Sequence, residues 1–379
     1  MPSPPALVLN AGSSSVKAAV LAADGAPLWR GQRPWSPLAP NGDPAAAEAG
    51  AEATQRLLEN WLGEALAPWL APQPAAGGGA LALAGHRVVH GGERFTAPTR
   101  LTPEVLAALE QLVPLAPLHN GPALRLMRAL AAWLPELEQW ACFDTAFHAT
   151  LPPQARTYAV PLRWRQAGLR RFGFHGLNHQ HVAETVARSH PGVRRLISCH
   201  LGAGCSLCAI DGGRSIATTM GFTPLEGLVM ASRSGSLDPG LLLHQLRGGM
   251  AVEDLDHCLN RESGLLGLSG LSGDMAELRR ARREGHEGAR LAIAVFRERL
   301  LQEIGAMAAS LGGVELIALS GGIGEHDGEL LRELEEALAW LGGVPLLVVP
   351  ADEEGQIARS CLAAAGGADA LPRTLPIRG

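Results

Sequence analysis

Leu7-Val8-Leu9-Asn10-Ala11-Gly12-Ser13-Ser14-Ser15-Val16-Lys17 is the stretch on which the reading of this chain turns. An apolar run, then glycine and three serines, then a cation predicts a strand, a tight loop and a returning strand over 7–21. Serine hydroxyls and loop N–H groups supply donors for phosphate oxygens, and a compact ammonium adds a point charge. Lys17 is the only lysine in the chain; the other basic residues are all arginine. Arginine is a planar fork and lysine a small movable charge, so they are not interchangeable at a phosphate. Chance survival of one lysine in an arginine-biased sequence is the competing reading, and the neighbours of Lys17 weigh against it.

The pattern recurs. Leu196-Ile197-Ser198-Cys199-His200-Leu201-Gly202-Ala203-Gly204 predicts a strand over 194–201 that runs through a glycine loop into a second strand at 205–210. The turn Asp211-Gly212-Gly213 and a third strand at 215–219 follow. The repetition predicts an internal structural duplication. Further strands are expected at 80–89, 141–147, 314–319 and 345–349. Helices are expected at 53–67, 102–112, 121–134, 177–188, 239–247, 251–260, 274–284, 286–310, 328–340 and 353–365. Segments 38–54 and 66–80, rich in Pro, Ala and Gly, read as surface loops. Strands alternating with helices predict an α/β fold whose sheets are covered on both faces.

At 379 residues the chain suggests about two domains. A net charge of −5 without a long basic run argues against a nucleic-acid partner held by bulk charge. Arg279, Arg280, Arg282 and Arg283, with Glu277 and Glu284 beside them, read as a solvated helix face. Cys205 and Cys208 have no second CxxC partner and sit in a strand-like run, so structural thiols are expected. The sequence shows no basic leader region and no run of about 18 apolar residues, so no membrane partner and a cytoplasmic location are expected.

Three glycine loops follow expected strands, at 10–15, 200–206 and 320–324. Glycine lets backbone N–H groups approach an anion closely. One such loop is an ordinary turn; three after strands point to bound phosphates. Arg87 in His86-Arg87-Val88-Val89-His90-Gly91-Gly92 and Arg233 in Ser232-Arg233-Ser234-Gly235 have turn-like contexts suited to a carboxylate or phosphate, against the bland reading of surface cations. His175 and His179 are four apart, but the glutamate of HExxH is missing and Gly176 weakens a helix there, so zinc is rejected. An imidazole donating to a phosphoryl oxygen fits His175 better, while His179 reads equally as a core residue. Asp144 and the pair Glu353-Glu354 follow expected strands, where carboxylates hold Mg²⁺ together with phosphates. An acidic helix N-terminus accounts for residues 352–354 equally well.

Together LVLNAGSSSVK, GHRVVHGGERF, PLHNGPAL, FDTAFHATLP, RRFGFHGLNHQHV, ISCHLGAGCS, TTMGFTPLEGLVMASRSGSLDPG, GLLGLSGLSGD, SGGIGEH and VVPADEEGQIAR resemble the acetate kinase family, in family order from residue 7 to residue 359. The resemblance implies a two-lobed actin-like (ribonuclease H-like) fold with a duplicated βββαβαβα core and an interdomain cleft. The expected lobes are 1–147 plus 355–379, and 148–354. It implies reversible transfer of the ATP γ-phosphoryl to acetate, giving acetyl phosphate and ADP, with Mg²⁺ and usually as a homodimer.

By the same resemblance Asp144, His175, Arg233 and Arg87 match the catalytic positions. Val89, Leu118, Phe174 and Pro224, with the two arginines, match the substrate pocket. Lys17, Ser13, Ser15, His200, Gly202, Gly204, Asp274, Met275, Gly322 and Ile323 match nucleotide and phosphate contacts. Asn10 and Glu353 match the metal region, and His119 and His179 further site histidines. Four positions depart from the family pattern: Ala203, Ser236, Asp352 and Ala276 stand where Asn, Asp, Asn and Arg are usual. Acetate is already a nucleophile, so the chemistry needs alignment and charge neutralisation rather than a general base. Propionate kinase, another short-chain carboxylate kinase, or a non-catalytic nucleotide-binding module on the same fold are the alternatives.

Overall fold

The computed structural model describes residues 4–12, 15–35, 44–70 (backbone alone over 44–51) and 80–367. The described chain falls into two compact units. One runs to Ala146 and resumes at Asp352; the other spans Phe147–Ala351.

The N-terminal unit is built on β1 (Ala6–Ala11), β2 (Ser15–Leu21), β3 (Pro27–Pro34), β4 (Leu83–Val88), β5 (Thr99–Arg100) and β6 (Gln139–Phe143). Their order in the sheet is β3-β2-β1-β4-β6-β5. The first three strands form antiparallel hairpins, and β1, β4 and β6 run parallel. A strand covered on both faces reads as a continuous apolar run, and Ala6 to Leu9 are wholly buried. On one face Leu58, Leu62 and Leu66, one turn apart on the helix Pro44–Leu70, join Leu124, Met127 and Leu130 of the helix Pro117–Trp133 against Leu7, Leu9 and Ala84. The next residue along β4, Gly85, faces the other way. A Cβ there would come within 2.7 Å of Ile357 and 3.1 Å of Cys361 on the helix Glu353–Ala365. Gly85 is therefore what allows that helix to lie close on the sheet.

The C-terminal unit repeats the plan. Strands β7 (Arg195–Leu201), β8 (Cys205–Asp211), β9 (Arg214–Thr218), β10 (Leu316–Ser320) and β11 (Leu346–Val348) take the order β11-β10-β7-β8-β9. Again three antiparallel strands are followed by two parallel ones. The expected duplication is thus present as topology. Gly212 and Gly213 both take positive φ at the β8–β9 turn, as a two-residue hairpin of this hand requires. The helix Gly176–Ser189 covers one face, packing Val182 and Val186 on Leu196, Cys208, Ile210 and Ala318.

Most expected elements appear within a residue or two of their predicted limits. The first helix differs: it begins at Pro44, so the Ala-rich stretch 44–54 is helical rather than loop. Alanine is the strongest helix former, and this propensity outweighs the composition signal. Among the described residues no helix is long and apolar enough to cross a membrane.

Candidate active site

In the N-terminal unit the polar residues gather at the C-terminal ends of the parallel strands. Asn10 on β1 lies opposite Lys17 on β2, and Lys17 lies opposite Gln32 on β3. Leu9 pairs with His86, so Asn10 and Arg87 come next along two parallel strands and share a face. Lys17 is exposed among buried neighbours and lines a cavity of about 380 Å³ with Arg30, Gln32 and Glu354. Ser15 accepts a hydrogen bond from Gln32 at 3.1 Å, and its carbonyl takes the Gly12 N–H at 2.8 Å, which closes the loop. Ser13 lies outside the described residues.

Arg87 is the hub of this unit. Its Nε donates to both carboxylate oxygens of Asp144 at 3.1 and 3.2 Å, and its Nη2 to Oδ2 at 2.7 Å. Nη1 stands 3.0 Å from Glu353 Oε2. Asp144 is buried and follows β6 directly, its N–H bonded to Val88 O at 3.0 Å. Burial works against the Arg87 charge, but Asp144 and Glu353 outweigh it and its pKa lies above the ordinary arginine value. Burial pushes the Asp144 carboxyl up, and Arg87 pulls it back. Glu353 opens its helix, whose N-cap Asp352 accepts from Gly355 N at 3.2 Å. The two readings of 352–354 therefore coexist: the stretch caps a helix and delivers Glu353 to Arg87. Val89 is half-buried beside a loop held by Asn120, which bonds the N–H and C=O of His90 at 3.1 and 2.9 Å. Leu118 is exposed and His119 half-buried on the first turn of the helix Pro117–Trp133.

In the C-terminal unit the centre is His175. It is the one described non-glycine residue with positive φ, 57°, and it immediately precedes the helix Gly176–Ser189. Gly176 thus starts a helix rather than spoiling one. Such a conformation is uncommon outside glycine and marks a position fixed by its surroundings. Those surroundings are visible. Phe174 is buried, and its carbonyl can only accept, so His148 Nε2 at 3.0 Å carries the proton there. His148 Nδ1 then accepts from Ser215 at 2.9 Å. Burial pushes the pKa of His148 down to about 4, which keeps it neutral.

His175 Nδ1 meets Ser206 Oγ at 2.9 Å, and the same hydroxyl meets His179 Nε2 at 2.8 Å. The His175 and His200 rings lie 4.6 Å apart. A Cβ on Gly204 would sit 3.3 Å from His175 Nε2 and 3.8 Å from Arg233 Nη1. The glycine therefore lets a cation and an imidazole flank the loop between β7 and β8. Arg233 is steadied by donating to Pro224 O at 3.1 Å. Gly202 lies beside His200 on the same loop.

That loop leads into a cavity of about 770 Å³ lined by Gly202, Ala203, Asp274, Met275, Gly322 and Ile323, among others. Residues predicted from three separate motifs so come together in one space of nucleotide size. Ala203 and Ala276 are also on its wall, so two of the departures from the family pattern fall where a nucleotide would lie. Arg279 is a correction: it is buried, 4% exposed, on that wall rather than on a solvated face. Its guanidinium pairs with Asp327 at 3.0 Å and Glu333 at 2.8 Å, and a charge so matched can leave water.

Among the described residues no three His, Cys, Asp or Glu converge as a metal cage. Mg²⁺ needs none, since it is held by one or two carboxylates plus phosphates and water. The all-oxygen donors Asn10 and Glu353 fit that hard ion. Sequence reasoning missed Ser206 and His148, although both lie inside quoted motifs. Neither residue type announces a role in holding another side chain.

A profile described as the Acetokinase family matches residues 5–354. An acetate kinase of Synechococcus sp. is 45% identical over 94% of this chain and 98% of its own. The crystal structure of Porphyromonas gingivalis acetate kinase superposes with TM-score 0.79 at 30% identity, covering 96% of this chain and all of that one. A propionate kinase from Francisella tularensis superposes with TM-score 0.80 at 30% identity, covering 94% and 98%.

Proposed function

Because the chain belongs to the acetokinase family, we propose that it transfers the γ-phosphoryl of ATP reversibly to acetate, giving acetyl phosphate and ADP. The observation that carries this reading is the loop at 202–204: it is flanked by His175 and Arg233 and continues into a nucleotide-sized cavity. Phosphoryl transfer asks for in-line alignment and for positive charge around the equatorial oxygens. Arg233 beside His175, and Lys17 and Arg87, are the cations this reading assigns to that role. Arg87 takes the acetate carboxylate, and Asp144 aims its guanidinium rather than accepting a proton. Val89, Leu118, Phe174 and Pro224 would line the acyl pocket. Asn10 and Glu353 would hold Mg²⁺, which neutralises phosphate charge when bound. No general base is required, and transfer is direct.

The test is hydroxamate detection of acetyl phosphate from ATP, Mg²⁺ and acetate, with propionate and butyrate in parallel. Inversion at a chiral γ-phosphorus is the expected signature of direct transfer; retention would refute it. Absence of turnover with every carboxylate would leave a nucleotide-binding module. A pocket that differs by one methylene discriminates by only about 1–3 kcal/mol, so propionate should react measurably.

Free thiols at all six cysteines suit a cytoplasmic protein. The helix Pro239–Arg247 buries none of its residues and, with its flanks, exposes Leu237, Leu241, Leu243, Leu246 and Val252. We assign that face to a homodimer contact. Leu241→Glu should halve the mass in size-exclusion light scattering; an unchanged mass rejects the assignment.

A further inference from the structure

Ser198, His179 and Ser206 form a continuous buried chain of polar atoms that ends on His175. Ser198 Oγ lies 2.9 Å from His179 Nδ1, His179 Nε2 lies 2.8 Å from Ser206 Oγ, and Ser206 Oγ lies 2.9 Å from His175 Nδ1. The three inner residues are fully buried. Strand register explains their meeting. Ser198 and His200 are two apart on β7, and Ser206 lies opposite His200 on β8, so all three side chains share one face. The helix Gly176–Ser189 covers that face and lowers His179 between the two serines.

Each neutral imidazole carries one proton and each hydroxyl one, so two proton arrangements run in one direction along the chain; a third, in which both imidazoles donate to Ser206, leaves the Ser206 hydroxyl proton without an acceptor among the described residues. In the first, His175 Nδ1–H donates to Ser206, Ser206 O–H to His179 Nε2, and His179 Nδ1–H to Ser198. The Ser198 hydroxyl proton then has no acceptor among the described residues, where His179 is its one hydrogen-bond neighbour. A buried donor without an acceptor costs about 1–3 kcal/mol. In the second, every bond reverses. Ser198 O–H donates to His179 Nδ1, His179 Nε2–H to Ser206, and Ser206 O–H to His175 Nδ1. Every inner donor is then used, and the His175 proton resides on Nε2. Double protonation of His179 would also break the chain. Burial, then the neighbouring His148 and His200, hold its pKa well below the ordinary value.

We propose that Ser198, His179 and Ser206 are positioning residues that fix neutral His175 in the Nε2–H tautomer. Its N–H is thereby presented beside Gly204 and Arg233. Neutral His175 can then donate a hydrogen bond to a phosphoryl oxygen without first gaining a proton. That use rests on the phosphotransferase reading; the tautomer itself does not.

The experiment is ¹⁵N NMR of the protein labelled at histidine, with His175 assigned by the spectrum of His175→Gln. At pH 8 the wild-type His175 should show a bare Nδ1 and a protonated Nε2. Ser198→Ala removes the donor that sets the direction, and both His175 nitrogens should move toward averaged shifts; Ser198→Thr should keep the wild-type pattern. In turnover, Ser198→Ala should lower kcat about two- to tenfold, the worth of one hydrogen bond, with KM for acetate unchanged. A protonated Nδ1 in wild-type His175 overturns the proposal. So does Ser198→Ala with unaltered His175 shifts, which would make Ser198 a packing residue alone. Wild-type protein without turnover would sink the proposed activity and leave the tautomer to be decided by the spectrum.

Discussion

Arg87→Met tests whether Arg87 and Asp144 form the pair on which the polar cluster of the N-terminal unit depends. The substitution keeps most of the arginine stem and removes the cation. Asp144, with 2% of its side chain exposed, is left with a charge whose bidentate partner is gone. Breaking a buried pair on one side costs about 3–5 kcal/mol. Asp144 can escape by taking a proton, and that escape sets a ceiling. From a carboxyl value of 3.8, protonation costs about 4 kcal/mol at pH 7 and roughly 1.5 kcal/mol at pH 5. The sign follows: the variant raises the folded-state pKa of Asp144 above its unfolded value, so its penalty grows as pH rises and shrinks as pH falls. Six of the eight tryptophans, Trp29, Trp35, Trp61, Trp69, Trp133 and Trp140, belong to the N-terminal unit, so tryptophan fluorescence in urea reports this unit. With a slope of about 2–3 kcal/mol per molar, the midpoint should fall by roughly 1.5 M at pH 7 relative to wild type. At pH 5 the gap should shrink to less than half. Adding Asp144→Asn should restore most of the loss and flatten its pH dependence. An Arg87→Met midpoint equal to wild type at pH 7, or a gap that does not narrow at pH 5, would show that Asp144 does not depend on Arg87.

Gly204→Ala places a methyl 3.2 Å from the His175 ring, while Gly202→Ala meets nothing closer than 3.5 Å. The first should lower kcat about 10–100-fold with little change in melting temperature, and the second much less; equal effects would sever the link to His175. His86 in one unit and His148 in the other are held near pKa 4 by burial, from 6.5. Each favours the folded state above pH 6.5 and loses that contribution as pH falls toward 4, about 2 kcal/mol by pH 5. Scanning calorimetry should therefore show a lower melting temperature at pH 5 than at pH 7.5, and a flat profile would contradict the burial. Asp352→Ala removes an N-cap worth about 1 kcal/mol and the contact with Arg359 at 3.0 Å. Because the helix it caps begins with Glu353, the Mg²⁺ concentration needed for half-maximal turnover should rise; an unchanged value would separate the cap from the metal.

The fold was readable because its decisive features are local. Strand, glycine loop and strand at 7–21 and again at 194–210 need only short-range pattern, and the Gly212-Gly213 turn needs only two residues. The motif positions were readable in the same way, through resemblance. What was not readable is partnership at a distance. Arg279 looked solvated because its own helix is basic, and the carboxylates that neutralise it, Asp327 and Glu333, come about 50 residues later. Ser206 looked like an ordinary strand residue, because its two imidazole partners, His175 before the helix Gly176–Ser189 and His179 on it, come about 30 residues earlier in the chain. The start of the first helix was obscured for a different reason: glycine and proline signal a loop by composition while the alanines between them favour a helix, and over 44–54 the alanine propensity wins.

The two copies of the core place their chemistry at the same topological position and fill it with different groups. In each, the first hairpin and the end of the fourth strand carry the candidate residues. In the N-terminal copy these are Lys17 and Arg87, and Arg87 is matched by Asp144 and Glu353. Ion pairs of this kind need a rigid carboxylate frame, which β6 and the capped helix supply. In the C-terminal copy the end of β7, the loop at 202–204 and the end of β10 carry His200, glycine and Ser320, with the neutral imidazoles of His148 and His179 behind them. Backbone N–H groups and neutral donors can lie against a polyphosphate without carrying a charge that must be desolvated when the site is empty. A duplicated scaffold therefore does not imply duplicated chemistry: one copy gathers paired charges around Arg87, and the other sets glycine and imidazole beside Arg233. The order of substitutions by their effect on stability should follow that division. Loss of Arg87 leaves a buried charge and destabilises its unit, whereas His200 is half-buried and its loss should reduce turnover with little cost to folding.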